Sequence, residues 1–174
     1  MVDGETRFRR DTKRCNFASG KFSAKPKVIV WLKAFDTKSG ANIRIWARAT
    51  NISDKGFDLV IEGWADTKIY RAAASWFAHD ASKTNVQSGA VSTRDYRDWY
   101  PAQINNGGNV TFAKGIAREP RVFAALSFID MSSNANLRIN VGAESVSEQG
   151  FKWVANAWAD TVCYQVGVDW IAFG

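Results

Sequence analysis

Apolar and β-branched residues in this chain fall into short runs that are separated by polar or glycine-containing turns, a pattern typical of β-strands. In the first half the runs cover residues 27–35, 42–49, 57–64 and 67–78. From Asn136 to Val141 apolar and polar residues alternate, so the polar ones share one face of the predicted strand. Arg138 is on that face, and we expect its side chain to point away from the core.

The two halves of the chain repeat each other. A shift of 94 residues, which places Pro26 on Pro120, aligns the halves without a gap and makes 21 of the 55 positions from Pro26 to Asp80 identical. The four residues from Trp64 to Thr67 recur letter for letter from Trp158 to Thr161. Glycines that precede a phenylalanine mark the same turn in both halves. The chain therefore contains two copies of one fold.

The repeat sets the predicted domain organisation. Residues 1–80 form copy one, with a shortened N-terminal part, residues 81–85 form a short polar linker, and residues 86–174 form copy two. Several short strands at this spacing predict an all-β protein, in which a small antiparallel sandwich occurs twice in tandem. Trp76 and Trp170 occupy equivalent positions inside apolar strands, and we expect both in the core.

Composition narrows the class of protein. With 46% hydrophobic and 13% aromatic residues the chain has the content of a packed globular protein, and it has no apolar run long enough for membrane insertion. The net charge of +6 comes from scattered basic residues, so nucleic acid is an unlikely partner. Cys15 and Cys163 are far apart, show no metal-ligand spacing and are expected to be free thiols.

The start of the chain, residues 1–14, is polar and charged and has no apolar segment of the kind found in signal peptides. We expect a protein that is cytoplasmic or released by a non-classical route, unless the chain is a fragment of a larger secreted protein.

Catalytic signatures are missing from the sequence. His79 is the sole histidine, so a His-based triad or a multi-His metal site has no basis, and we expect it to end a strand. Gly107-Gly108 is interpreted as a turn rather than a phosphate-binding loop, because no strand-to-helix context surrounds it. The chain is therefore expected to be no enzyme and to need neither a cofactor nor a metal.

Four polar or aromatic positions occur in both copies and suggest a sugar site. An arginine fork beside a phenol and an indole matches a hexose, which presents hydroxyl pairs at its edge and apolar C–H groups on its face. The alternative is that the tryptophans fill the core and each arginine forms an ion pair with an aspartate. The candidate residues are Arg44, Trp64, Asp66 and Tyr70 in copy one, and Arg138, Trp158, Asp160 and Tyr164 in copy two.

Taken in order, these motifs resemble the H-type lectin domain. The series is Pro-x-Val, an Asp, Asn-(Ile/Leu)-Arg-Ile, a turn with Ile-Ser or Val-Ser, Gly-Phe, Trp-x-Asp-Thr-x-x-Tyr and a closing aliphatic-x-x-Trp. Copy two covers the complete domain, with its opening strand at residues 86–89. Copy one matches from about Phe17, and residues 4–10 are a compressed candidate for its first strand.

The resemblance implies a six-stranded antiparallel sandwich that assembles as a trimer and binds N-acetylgalactosamine or galactose near subunit junctions. It also implies that the repeated arginine, tryptophan and tyrosine contact the sugar. A histidine that often follows the tryptophan in the family is replaced here by Ala65 and Ala159. The loop that carries a sugar-binding aspartate is shorter here, which leaves Gln103, Asn105 and Asn106 as candidates in copy two and Asp11 in copy one. Copy one therefore ranks behind copy two as a binding site.

The sequence thus predicts a multivalent, non-enzymatic lectin with glycans as partners and a role in cell adhesion. The alternative is a trimeric structural or receptor-binding module whose sugar pocket has decayed, which the missing histidine and the short loops favour.

Overall fold

The computed structural model describes residues 9–174, which contain eleven strands, one short 3-10 turn and no α-helix. The predicted all-β fold is confirmed. The strands are β1 (Arg10–Asn16), β2 (Lys27–Thr37), β3 (Ile43–Ser53), β4 (Gly56–Glu62), β5 (Ile69–His79), β6 (Val86–Ser92), β7 (Gly107–Thr111), β8 (Arg121–Met131), β9 (Ile139–Ser147), β10 (Gly150–Ala157) and β11 (Cys163–Phe173), with the 3-10 turn at Thr93–Asp95 between β6 and β7.

Copy two is a six-stranded sandwich. Strands β6, β11 and β8 pair side by side in one layer, and β7, β10 and β9 pair in the other, with every pairing antiparallel. Trp153 on β10, fully buried, and Trp170 on β11 are part of the core.

Copy one repeats this plan with five described strands. Its layers are β1-β4-β3 and β2-β5, so β1 takes the place of β7 and β5 takes the place of β11. No described strand corresponds to β6. Of the suggested first strand at residues 4–10, residues 4–8 lie outside the described part of the chain, and Arg10 begins β1.

The exposure of Trp76 corrects the expectation that it lies in the core. Trp170 is 7% exposed because β6 covers it, and a Cβ added to Gly89 of β6 would lie only 3.0 Å from the Trp170 indole. Trp76 is 41% exposed, since β5 has no described strand on that side. It still packs edge-on against Phe57, with ring centroids 5.0 Å apart.

The two copies are joined through a continuous six-stranded sheet, in the order β1-β4-β3-β8-β11-β6. The joint is an antiparallel pairing of β3 with β8 over four residues, in which Arg44 lies opposite Asp130 and Ile45 opposite Ile129. Both isoleucines are completely buried or nearly so. One hydrophobic cluster therefore runs through both copies.

A second contact ties β2 to copy two. The backbone N–H of Val30 donates to the Asp169 carboxylate at 2.9 Å, and the Trp31 indole N–H donates to the Asp169 carbonyl oxygen at 2.9 Å. The Trp31 ring also meets Phe123 edge-on at 5.0 Å. These bonds cover the first half of the β2 edge.

The Gly107-Gly108 interpretation was wrong, because these residues begin β7 rather than form a turn. A Cβ at Gly107 would lie 2.5 Å from the carbonyl oxygen of Trp153, so β7 can approach β10 only with glycine there.

The remaining expectations concern single side chains. His79 ends β5, as predicted, and its ring nitrogens contact the Asp80 carbonyl and the Ser88 hydroxyl. Cys15 and Cys163 are both free thiols, and burial raises the pKa of Cys163 to about 11. Within residues 9–174, no helix has the length and apolar character needed to cross a lipid bilayer.

Candidate functional site

The repeated Trp-Ala-Asp-Thr segment is a tight turn in both copies. In copy one the Thr67 N–H donates to the Trp64 carbonyl at 3.2 Å, and Ala65 takes a left-handed φ of 54°. The Thr67 hydroxyl donates to the Asn42 carbonyl at 2.6 Å, which ties the turn to the chain two residues before Arg44.

Copy two builds the same turn. The Thr161 hydroxyl donates to the Asn136 carbonyl at 2.6 Å, and Ala159 has a φ of 55°. A non-glycine residue at positive φ costs about 1 kcal/mol or more, so the surrounding bonds must hold it. The threonine bond links the Trp-x-Asp-Thr turn to the chain two residues before the repeated arginine, which places the aspartate of the turn beside that arginine in both copies.

Arg44 forms ion pairs with two carboxylates. Its Nη1 donates to Asp66, and this hydrogen bond holds the pKa of the exposed Asp66 below its usual value. Its Nε lies 3.4 Å from Oδ1 of Asp130, which belongs to copy two. The arginine–aspartate ion pair considered in the sequence analysis is thus present, and a second carboxylate, from the other copy, joins it.

Asp130 is a buried carboxylate with unused hydrogen-bonding capacity. It is 9% exposed, and burial raises its pKa, although the Arg44 charge opposes this effect. Its Oδ1 receives no hydrogen bond from any described residue, since the Arg44 contact has the distance but not the geometry of one. This oxygen is itself enclosed, so the nearby Arg44 charge is what offsets part of the cost of burying it.

A cleft of about 710 Å³ lies at the joint between the copies, beside Arg44 and Asp130. On one wall the Trp64 indole stacks on Phe128, with the rings 5.2 Å apart and 11° from parallel. The Arg94 guanidinium lies 5.5 Å from the centre of the same Phe128 ring. The residues lining the cleft are Arg44, Trp46, Glu62, Gly63, Trp64 and Ala65 from copy one, and Arg94, Trp99, Phe128, Asp130 and Gln165 from copy two.

The two candidate tyrosines lie at β-bulges. Ile69 and Arg71 pair with the adjacent residues Thr37 and Asp36, so Tyr70 is the extra residue on β5. Tyr164 is the extra residue at the equivalent bulge on β11, and its ring meets Trp99 at 5.7 Å. Neither tyrosine lines the cleft, although Trp99 connects Tyr164 to it.

The equivalent residues of copy two form a more open site. Arg138 donates to Asp160 through Nη1, which lowers the pKa of that carboxyl, and the nearby Trp158 is 49% exposed. The loop before β7 runs beside the end of β10, because the Ala157 N–H donates to the Ile104 carbonyl at 2.7 Å.

The candidates in that loop differ in exposure. Asn105 is exposed, whereas Asn106 is 6% exposed and its side chain binds Arg97 and the Gln103 carbonyl. Asn106 therefore holds the loop in place. In copy one, Asp11 lies in β1 opposite Ile61 and outside the cleft.

Sequence reasoning missed the contribution of copy two to the copy-one site. Asp36 and Asp130 match in the repeat, which marked the position as a retained polar residue, but nothing local showed that β8 would pair with β3. Nowhere in residues 9–174 do three His, Cys, Asp or Glu side chains gather as metal ligands would.

The sandwich architecture, the repeated arginine–aspartate turn and the aromatic cleft define a β-sandwich protein of the lectin kind. The family model for the H-type lectin domain matches residues 12–79 and 108–173, which is more than half of the chain and takes in both copies. The chain therefore belongs to the H-type lectin family. Domains of this family are carbohydrate-binding modules rather than enzymes.

Individual proteins resemble the chain to different degrees. A protein of Fuscovulum blasticum described as ATP synthase subunits region ORF 7 is 41% identical over 93 residues, which is 51% of this chain and 81% of that protein. Recombinant discoidin II of Dictyostelium discoideum has 16% identity and a TM-score of 0.45 over 87% of this chain and 74% of its own. A structure of wild-type discoidin II from Dictyostelium discoideum has 15% identity and a TM-score of 0.44 over 87% of this chain and 73% of its own. The family assignment depends on the domain match alone.

Proposed function

We propose that this protein is a multivalent lectin whose principal glycan site is the cleft between the two copies, which ranks the Arg44 site ahead of the Arg138 site and so reverses the order expected from the loops. The observation that carries the proposal is the placement of Arg44, Trp64 and Asp130 around one cleft. A guanidinium supplies paired donors to hydroxyls, a carboxylate accepts from them, and an aromatic side chain packs against the apolar face of a pyranose.

The preferred sugar is N-acetylgalactosamine or galactose, and the assembly is a trimer of two-domain chains that acts in cell adhesion. Family membership supports this narrower statement. A shallow sugar site is weak, and several sites on one particle raise the overall strength of binding by about 10² to 10⁴. The roomy cleft, with Ala65 where the family often has histidine, suits a glycan with a substituent beyond a single ring.

A trimeric adhesive or receptor-binding scaffold without sugar binding is the alternative. The Asp66 and Asp160 carboxylates that bind Arg44 and Arg138 favour it, because each uses one donor that a sugar hydroxyl would need. In neither case does the proposed function include catalysis.

The test replaces the arginines singly and together with lysine. Lysine retains the charge but loses the planar fork, so Arg44→Lys should weaken glycan binding about tenfold or more, because a hydrogen bond to a charged group contributes about 1.5–3 kcal/mol. Arg138→Lys should have a smaller effect, since its site is open. Binding is measured by calorimetric titration with oligosaccharides ending in N-acetylgalactosamine or galactose, after screening on a glycan array with free-sugar competition.

Arg14→Lys is the matched control, because Arg14 forms an exposed ion pair with Asp58 and does not line the cleft. Thermal melts of each variant separate lost binding from lost folding. A double variant that binds as well as the parent would place the site elsewhere, and a parent that binds no glycan would support the scaffold alternative.

A further inference from the structure

We propose that residues 34–37 of β2 and residues 137–140, which lead into β9, form a head-to-tail contact between two copies of this chain. The contact repeats, between chains, the β3–β8 pairing that joins the two copies within one chain. Both segments are present in the structure, and neither pairs with a described strand on the edge that corresponds to the joint.

The joint within the chain shows what the pairing does. Ile43, Arg44, Ile45 and Trp46 lie opposite Met131, Asp130, Ile129 and Phe128. As a result, the β8 segment from Ser127 to Met131 is buried at every position, with exposures of 9% or less.

In the 94-residue repeat, the two segments of this joint correspond to residues 137–140 and 34–37. Asp130 corresponds to Asp36 and Arg44 corresponds to Arg138, so the same pairing would set Asp36 opposite Arg138. The β2 segment is the counterpart of the buried β8 segment, yet Lys33, Ala34 and Asp36 are exposed. β2 pairs only with β5, and β9 pairs only with β10, within residues 9–174.

The arginines show the same asymmetry at the level of atoms. Arg44 uses Nη1 for the aspartate of its own turn and Nε for Asp130 across the joint. Arg138 uses Nη1 for Asp160, but its Nε meets no carboxylate in the described part of the chain. Asp36 likewise forms no ion pair with a described residue, although Arg71 is its cross-strand neighbour. Arg138 and Asp36 have opposite charges, so each could serve as the ion-pair partner of the other.

The remaining pairs are compatible with this contact. Phe35 would meet Ile139 as Ile129 meets Ile45, and Ala34 would meet Asn140 where the internal joint has Phe128 and Trp46. The smaller pair buries less apolar surface than Phe128 and Trp46 do at the internal joint. Because each chain offers one segment of each kind, the contact is heterologous, and such contacts form a closed ring when the rotation between neighbouring chains closes. The proposed trimer would be such a ring with six copies.

The contact also bears on the open site of copy two, a consequence that depends on the proposed lectin function. The second chain would bring Asp36 to Arg138 and Ala34 toward Trp158, as copy two brings Asp130 and Phe128 to the cleft. Site two would then be completed by a residue from a second copy.

Cysteine cross-linking tests the register directly. Ala34→Cys and Asn140→Cys place thiols on directly opposed residues, whose separation in a β-ladder suits a disulfide. Mixing the two single variants under mild oxidation should give a covalent dimer on a non-reducing gel, whereas either variant alone should stay single. The variants carry Cys15→Ser, and Cys163 is buried with its pKa raised to about 11, so it stays unreactive.

Glu144→Cys replaces Asn140→Cys in the mismatched control, because Glu144 is also exposed on β9 but lies four residues along the strand. Equal cross-linking by the matched and mismatched pairs would overturn the proposal, as would a parent that sediments as a monomer at micromolar concentration.

A charge reversal gives an independent test. Asp36→Arg would face Arg138 and should weaken self-association about a hundredfold in sedimentation velocity, since like charges at an interface are strongly unfavourable. Asp54→Arg is the matched control, because Asp54 is exposed in the turn between β3 and β4. An oligomer that survives Asp36→Arg unchanged would refute the contact. No glycan enters these experiments, so their result is separate from that of the lectin proposal.

Discussion

Asp169 is a buried carboxylate of copy two that bonds the β2 strand of copy one. It lies at the second contact between the copies, where it accepts the Val30 N–H, and burial raises its pKa to about 6 from the usual 3.8. The hydrogen bonds from Val30 and Ser127 only partly offset the cost of burying the charge. A folded-state pKa above the unfolded value means that the folded protein binds the proton more tightly.

Stability contributed by Asp169 should therefore rise as the pH falls from about 6 to about 4 and should be constant above 6. Asp169→Asn keeps an acceptor for Val30 and removes the charge, so it should raise the free energy of unfolding at pH 7 by on the order of 1–3 kcal/mol. It should also flatten the pH dependence between 4 and 6. Urea unfolding of both proteins at pH 4.5 and pH 7.5 measures these free energies. An equal difference between the two proteins at both pH values would contradict the prediction.

Single residues also show which parts of the site could be predicted from the sequence. Arg44 and Asp66 were found because they recur at equal spacing, and the structure joins them through the threonine-held turn. Asp130 recurs too, but its proximity to Arg44 depends on two strand edges that are distant in sequence. Alternation of side chains predicts which face a residue occupies, and it contains no information on which edge meets which.

The tandem strands β5 and β11 have similar sequences but different neighbours. β11 lies between β8 and β6, whereas β5 has β2 on one side and no described strand on the other. Local pattern therefore predicted both strands and, for Trp76, the wrong burial. Burial of a strand face depends on another segment of the chain being present to cover it.

The two tryptophans should consequently differ in what they contribute to stability. Trp170→Ala removes a side chain that is 7% exposed and should cost about 3–5 kcal/mol, whereas Trp76→Ala, at 41% exposure, should cost about 1–2 kcal/mol. Chemical unfolding monitored by far-ultraviolet circular dichroism gives both values. Similar losses would indicate that β5 is covered in solution, for example by a partner.

The two copies should unfold as one unit, because they share a sheet and a hydrophobic cluster. Calorimetry should show one transition with equal calorimetric and van't Hoff enthalpies. Ile45→Ala, at the fully buried joint, should lower the melting temperature by roughly 5–15 °C. Lys55→Ala, in an exposed turn, serves as the control.

Hydrogen exchange shows whether the effect crosses the joint. Ile45→Ala is a change in copy one, and it should reduce the protection of β10 amides in copy two about as much as that of β4 amides. Two separate calorimetric transitions, or a loss of protection confined to copy one, would show that the copies unfold independently.

The shared sheet also affects the order of events during protein synthesis. Translation runs from the N-terminus, so β2 and β3 leave the ribosome before β8 and β11 have been made. Until then, the edges of copy one that contact β8 and β11 have no partner strand. Copy two has all six of its own strands, and the strands of copy one have already been made when it is synthesised. A circular permutant that begins at the linker would deliver the six-stranded copy first and give the later copy a finished template on which to fold.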